Sequence, residues 1–433
     1  MSSAPPRAQP FRALRHRNFQ LFFAGQLISL IGTWMQQVAQ SWLIFRLTHS
    51  AILLGLVGFF GQIPSFILGP LGGHVADVFN RRKVLIMTQT WSMILAFILA
   101  GLTLGGVIQK WHIFVLAALL GVVNAFDVPV RQAFLVQMVE RDDLMNAIAL
   151  NSSMFNGARI VGPAVAGLLV AAIGEGWCFF ANGVSYVAVI IGLVMMSPRI
   201  LPQSVSSSPL ANIVEGFRYV AHTAPIRALL LLLGLASFAG MPYTVLMPIF
   251  AEDIFHSGAR GLGLLMGATG LGALIGSIML AVRSTVRGLG QWVAIASLSF
   301  GASAILFAFS RSFVLSMIVL VPVGMAMMVQ TASSNTLIQS MVPDELRGRV
   351  MAVYTMMFVG LGPIGALIAG ALAHRIGAPI TVAAGGVLTM VGAGAFAMRL
   401  PALRGEARKL IIAQQPGAGE PMEQTTATGA EAT

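Results

Sequence analysis

The chain has 433 residues, 57% of them apolar and only 41 charged, 26 Lys or Arg against 15 Asp or Glu. A charged share of 9%, where a soluble domain carries roughly 25%, leaves more apolar surface than a water-soluble globule can bury, which excludes a soluble enzyme, a disordered scaffold and a fibrous protein. One cysteine, Cys178, excludes a disulfide framework and a Cys-rich metal site, and seven scattered histidines with no i,i+4 pair leave no zincin-type motif.

Taken from one charged residue to the next, the chain divides into spans. Uncharged runs at 18–45, 47–76 and 84–109 predict three membrane helices, since about 20 apolar residues in a helix cross the roughly 30 Å hydrocarbon layer. Segments near 111–136 and 146–172 are as long but hold charges inside, and they predict the fourth and fifth. Seven more runs follow at 176–198, 228–251, 261–282, 288–310, 312–343, 350–374 and 376–398. The expectation is an all-α integral membrane protein with twelve transmembrane helices, because a helix satisfies its own backbone hydrogen bonds in lipid. The 28-residue opening run follows basic residues without an evident cleavage site, so it reads as a retained first helix.

Twelve spans return both termini to one side. With the termini cytoplasmic, twenty Lys and Arg fall inside and five, Arg46, Lys110, Arg260, Arg311 and Arg375, fall outside, as the positive-inside rule requires. Arg159 alone lies within a span. The net charge of +11 is then a topology signal that points to anionic lipid head groups as partner and not to nucleic acid.

A polar interval at about 198–227, with Pro198, Pro202 and Ser206, Ser207 and Ser208, divides the spans evenly. Within it Leu210, Val214, Phe217 and Ala221 share a helical face, which predicts an amphipathic helix on the inner membrane surface. The halves echo each other: Gln137 to Leu144 aligns with Gln339 to Leu346, and Gly162-Pro163 with Gly362-Pro363. Two pseudo-symmetric six-helix halves are expected, at 18–198 and 228–399, with a cytoplasmic tail at 1–17, a linker at 199–227 and a disordered tail at 400–433.

The loop after the second span reads Gly73-His74-Val75-Ala76-Asp77-Val78-Phe79-Asn80-Arg81-Arg82-Lys83. It resembles the G-x-x-x-D-x-x-G-R-[RK] signature of the major facilitator superfamily. Gly73 permits close helix approach, Asp77 can accept from a helix N-terminus or an arginine, and Asn80 stands where a left-handed turn is expected. Asn80, and Val78 where many members are basic, depart from the signature. The second-half counterpart near Gly276, Arg283 and Arg287 has lost its acid. Asp127 to Phe134, Asn146 to Ser152, Ala158 to Pro163 and Asp344 to Val350 are similar to the branch holding bacterial enterobactin exporters and macrolide efflux proteins. The likeness spans about residues 11–400. It implies the major facilitator fold, a bacterial cytoplasmic membrane and, by family habit, a monomer.

Three charges interrupt the fourth and fifth spans. Asp127 lies about 13 Å inside the cytoplasmic end of its helix, Arg131 follows one turn on, and Arg159 is midway along the fifth. Charges there face the bundle interior or find partners. Asp127 is the candidate proton-binding acid, with Arg131 or Arg159 as the cation beside it. The other reading is a permanent ion pair bracing the fourth helix against the fifth. Pro129 predicts a kink beside Asp127. Gly157, Gly162, Pro163 and Gly167 resemble the fifth-helix motif of drug/proton antiporters and are expected to let the fifth and eighth spans pack closely.

In this superfamily the first, fourth, seventh and tenth spans line the cavity. Their polar candidates are Thr33, Gln36, Gln37 and Gln40; Asn124 and Asp127; Tyr243 and Thr244; and Gln330, Ser334 and Asn335. With Met241 and Met327 nearby, such a cavity suits a bulky amphipathic ligand. No catalytic residue, metal or cofactor is expected, and no G-x-x-x-x-G-K-[ST] loop is present. The expected function is proton-coupled efflux of an amphipathic small molecule, such as a siderophore, a macrolide or another drug-like compound, by alternating access. The rivals are a lysophospholipid flippase or uptake carrier, and a non-transporting receptor or assembly subunit.

Overall fold

Every long apolar run forms a helix in the computed structural model, which describes residues 11–197, 209–283, 285–286 and 288–414. Residues 1–10, Pro198, Pro202, Ser206, Ser207, Ser208, Arg287 and the tail from 415 lie outside the described residues. The first half contains α1 (Arg17–Thr48), α2 (Ala51–Val78), α3 (Arg81–Leu104), α4 (Lys110–Gln137), α5 (Arg141–Ile173) and α6 (Glu175–Met195). The second contains α7 (Ala224–Ile254), α8 (Gly258–Ala281), α9 (Leu289–Phe309), α10 (Phe313–Met341), α11 (Asp344–Ile376) and α12 (Ala378–Ala413). Between them runs the linker helix Pro209–His222.

Eleven of these helices are apolar enough to qualify as spans on hydropathy alone. The twelfth is α1, whose Gln20, Gln26, Gln36, Gln37 and Gln40 lower its hydropathy although its 32 residues exceed a bilayer crossing. It packs between α5 and α6; Gln36 accepts from Asn182 of α6 and Gln26 from Arg131 of α4.

The repeat is visible in the packing. Within the first half α2 lies on α4, α3 on α4 and α6, and α1 on α6; the same pairs recur six spans later as α8 on α10, α9 on α10 and α12, and α7 on α12. The halves meet through α5 against α8 and α2 against α11, which are each other's symmetry mates. The chain's described ends lie on the face where α1 starts and α12 ends, called here the basic face.

Tight contact between the halves is confined to the middle and the opposite face. A Cβ on Gly263 of α8 would meet the Pro163 carbonyl of α5 at 2.6 Å and Gly167 Cα at 2.8 Å. One on Gly370 of α11 would meet the Ala51 carbonyl at 2.6 Å and Gly55 Cα at 3.0 Å in α2. Glycine is what lets these backbones touch. Towards the basic face the halves separate. Gly69, Gly73, Gly157 and Gly348 have nothing within 4 Å of a built Cβ.

Several expectations need correction. Close approach in the second span is made by Gly72, whose built Cβ would lie 1.9 Å from the Ala125 carbonyl, and not by Gly73, which faces open space. Gly162 packs on Trp34 and Ile31 of α1, so of the four motif residues Pro163 and Gly167 meet α8, which also rests Gly270 on Arg159 and Ile160, and Gly157 meets neither helix. Asn80 is extended at φ −65°, ψ 107° and caps α3 by accepting from Lys83 N at 3.1 Å. The left-handed non-glycine residues among those described are His49 and His256, both in turns on the opposite face. Helix α12 runs past 400 to Ala413, because Leu403, Ala407, Leu410 and Ile411 continue its buried stripe onto the second-half core. The linker helix docks through Ile213, Gly216 and Val220 on α11, with Glu215 paired to Arg349 at 2.5 Å. Val214, Phe217 and Ala221 stay outward.

The glycine pattern predicts opposite responses to one methyl group. Gly73→Ala and Gly157→Ala should hold or raise thermal stability in detergent, since alanine favours a helix by about 0.5–1 kcal/mol over glycine. Gly263→Ala and Gly370→Ala should lower it by about 1–3 kcal/mol through overpacking. Thermal unfolding followed by tryptophan fluorescence checks both directions.

Candidate functional site

The signature loop works first as a helix-end fastening. Arg81 donates from Nε to the Ala76 carbonyl at 2.8 Å and from Nη1 to the Ala133 carbonyl at 3.1 Å, tying the ends of α2 and α4. Arg82 donates to the Leu193 carbonyl at 2.6 Å and to that of Val194, tying in α6. Cations suit these carbonyl-rich helix ends. Asp77 makes no hydrogen bond or ion pair among the described residues. With Gly73 it lines a cavity of about 580 Å³ between α2, α4 and α11, whose far wall carries Gly348 and Arg349.

A second, smaller cavity of about 250 Å³ lies deeper between the halves. Thr33, Gln36, Gln37 and Gln40 of α1, Asn124 of α4 and Thr244 of α7 line it together, so six of the expected polar residues converge. Asn124 borders both cavities. Tyr243, Gln330 and Ser334 are not on this wall. They are buried in the second half, and the Tyr243 hydroxyl, Gln330 Nε2 and Ser334 Oγ have no hydrogen-bond partner among the described residues. Asn335 bonds Gln339 at 2.7 Å instead of facing the cavity.

Four polar residues on this wall, Ser41, Gln62, Asn182 and Tyr186, went unread in the sequence. Asn182 of α6 donates to Gln36 Oε1 at 2.7 Å and accepts from Ser185 at 3.1 Å; Gly32 makes room for its amide. Tyr186 lies 3.5 Å from Thr33, and Gln62 of α2 completes the rim. The signal was available: a lone amide in an apolar span is costly unless bonded, and Asn182 is the sole amide in α6.

Asp127 sits behind the cavity, not in it. It is 2% exposed. Its Oδ1 accepts from Thr88 Oγ1 at 2.8 Å and Gln89 Nε2 at 2.7 Å, both on α3, and its Oδ2 pairs with Arg131 at 3.0 Å. Arg131 in turn donates to Gln26 of α1 at 3.0 Å. The ion pair therefore joins α4 to α3 and α1, and not to α5 as the bracing alternative had it. Arg159 takes no part. Its guanidinium lies 5.8 Å over the Trp34 ring and Nη2 is 3.8 Å from Met327 Sδ.

Two prolines shape these surroundings. Pro129 frees the Ala125 carbonyl and Pro163 frees the Arg159 carbonyl from helical bonding; Gly72 and Gly270 of neighbouring helices lie against those oxygens. Helix α7 widens into π-helical turns at Ala236–Gly240 and Phe250–Ile254 and α11 into one at Met356–Gly360, and Ser237 donates to the Phe358 carbonyl at 2.5 Å between the two helices.

The ion pair carries a stability prediction. Asp127→Asn leaves Arg131 without its counter-charge and should cost about 3 kcal/mol, the low end for a buried pair because Arg131 is a quarter exposed. Asp127→Asn with Arg131→Gln should regain most of that loss, as a double-mutant cycle of thermal unfolding would measure.

Comparison with known proteins agrees with this architecture. The family model for transmembrane secretion effectors matches residues 8–424. The staphyloferrin A transporter of Staphylococcus aureus is 25% identical over 85% of this chain and 93% of its own. The multidrug efflux pump Tap of Mycolicibacterium fortuitum is 27% identical over 89% and 95%, and the enterobactin exporter EntS of Shigella boydii 25% over 82% and 85%. Among solved structures, a POT family transporter in complex with 5-aminolevulinic acid shares the fold at a TM-score of 0.73 and 11% identity, covering 90% of this chain and 97% of that one. The chain belongs to the transmembrane secretion effector family of major facilitator transporters, in the branch that includes enterobactin exporters.

Proposed function

We propose that this transporter exports an amphipathic small molecule from the cytoplasm in exchange for protons, by alternating access. The observation that carries the reading is the asymmetry of the interface. The halves touch backbone to backbone at Gly55–Gly370 and Gly167–Gly263 towards the opposite face, and part at Gly73 and Gly348 towards the basic face and at Gly157 midway along α5. Two cavities that share Asn124 on their walls lie in succession between that opening and the polar residues of α1, α4 and α7.

With the basic face cytoplasmic, as its excess of Lys and Arg requires, this is the inward-open state that loads cargo. Rocking of the halves closes Gly73 and Gly348 towards each other and parts the glycines on the far side. Asp77 and Arg349, on facing walls of the opening, come together in that closure. The cavity's amides and hydroxyls orient a ligand without fixing its charge, while Val57, Leu120 and Met266 receive its apolar body. The transporter acts as a monomer, with anionic lipid against its basic face.

Asp127 is the proton site of this scheme. Among the described residues it is the one carboxylate set within the spans away from their ends. Protonation removes the charge that holds Arg131, and through Arg131 the tie to Gln26, so a proton there loosens α1 from α4. Each elementary charge moved supplies about 2.3 kcal/mol per 100 mV of membrane potential. Export by the enterobactin exporter and by Tap supports the direction of transport.

Energised inside-out vesicles test the scheme. They should accumulate a siderophore or amphipathic drug in a protonophore-sensitive way, and Asp127→Asn should abolish the protonophore-sensitive part. Accumulation unaltered in Asp127→Asn would make the ion pair purely structural, and absence of flux for every compound would remove the export reading.

A further inference from the structure

We infer that the cargo carries an anionic group, a carboxylate or its equivalent, and that Arg159 with the Tyr243 hydroxyl receives it. This deepens the export reading above and rests on it for the direction of transport. It stands on the balance of charge inside the bundle. Asp127 is neutralised by Arg131 at 3.0 Å. Arg159 is left over, midway along α5, with no carboxylate within ion-pair distance among the described residues. A lone charge at such a depth is costly and marks a functional position unless something else neutralises it.

What surrounds Arg159 is poor in acceptors. The Trp34 ring covers one approach at 5.8 Å and Met327 sulfur takes one N–H at 3.8 Å. A guanidinium has five N–H donors in a planar fork, and neither neighbour satisfies that fork. The Tyr243 hydroxyl, within electrostatic reach of the guanidinium, is 2% exposed; it makes no well-formed hydrogen bond, and among the described residues the buried Thr269 hydroxyl is its one neighbouring polar side chain besides Arg159. Gln330, one turn beyond Met327 on the same face of α10, holds a second unpartnered donor at Nε2. Charge-assisted, bidentate bonding to a carboxylate would satisfy the fork and give the hydroxyl an acceptor.

The place adjoins the central cavity from behind its wall, so a ligand in the cavity reaches it by displacing side chains of α1 and α7. Trp34 follows Thr33 and precedes Gln37 by one turn, and both of those line the cavity. Trp34 packs edge-on against Phe155 at 5.7 Å, one turn before Arg159 on α5. An anion on Arg159 would thus have aromatic surface beside it for an apolar or aromatic body. The amphipathic cargo of the export reading becomes an amphipathic acid.

The test uses dansyl-phenylalanine and its uncharged amide as probes, bound to purified full-length protein and read by energy transfer from tryptophan. The acid should bind more tightly than the amide. Arg159→Gln should weaken the acid about tenfold to a hundredfold while leaving the amide unchanged. Arg159→Lys should keep part of the preference, and Tyr243→Phe should lose less than Arg159→Gln. Arg159→Gln should also melt no lower than the wild type, since it removes an uncompensated charge. A lower melting point, equal affinity for acid and amide, an unchanged acid affinity in Arg159→Gln, or no measurable binding of the acid would each overturn the inference. Vesicle flux separates this from the export reading. Protonophore-sensitive accumulation of ethidium without any acid preference keeps export and removes the anion site. Acid binding through Arg159 without flux of any compound does the reverse.

Discussion

Hydrocarbon offers a polar group no partner, so every amide, hydroxyl and charge inside a span must be matched by another part of the chain. That requirement organises the first half. Gln26 meets Arg131, Arg131 meets Asp127, and Asp127 meets Thr88 and Gln89, so one chain of bonds stitches α1, α4 and α3. Gln36 meets Asn182, which stitches α1 to α6. The helix least apolar by composition is therefore the one most firmly held by its polar neighbours. Where matching is poorest, at Arg159 with only Trp34 and Met327 beside it and at the Tyr243 hydroxyl and Gln330 Nε2, the bundle keeps polar capacity that its own residues leave unused.

Glycine and proline set the geometry through which the halves can move. Prolines at 129 and 163 release carbonyls in α4 and α5, and glycines at 72 and 270 lie against them. The same small residues that close the opposite face have counterparts at Gly73 and Gly348 with space around them. A molecule that can pack glycines at either end of one interface has two closed arrangements of similar contact chemistry, which is what an alternating mechanism needs. The signature loop fits this division of labour. Arg81 and Arg82 are fixed on helix ends in the first half, whereas Asp77 stands uncommitted at the opening.

The fold was legible because spans, charge bias and the internal repeat all act over many residues. Ten helices follow from charge spacing and two more from apolar length, the polar interval at 198–227 divides them into halves, and the repeat of Gln137 to Leu144 at Gln339 to Leu346 falls at the α4–α5 and α10–α11 junctions. The cavity was legible in part. Gln37 and Thr244 lie on faces of their helices that point between the halves, while Tyr243 and Ser334 lie a fraction of a turn away and are buried behind the wall. Local geometry was harder. Asn80 seemed to need a left-handed turn, but its side chain caps α3 and an extended backbone suffices. Gly73 and Gly72 are neighbours in sequence, and only helix rotation decides which one meets α4. The α12 extension to Ala413 rests on four apolar residues too widely spaced to stand out in a polar tail.

The central claim is that the polar cavity opens alternately to the two sides of the membrane. Gln37 is exposed inside it, and the sole native cysteine, Cys178, is buried. A Gln37→Cys, Cys178→Ser variant in sealed membranes, probed with an impermeant maleimide from each side, tests the claim directly. The account predicts labelling from the cytoplasmic side at rest, and labelling from the outer side when cargo and a proton gradient drive turnover. Labelling from one side only under every condition would contradict it.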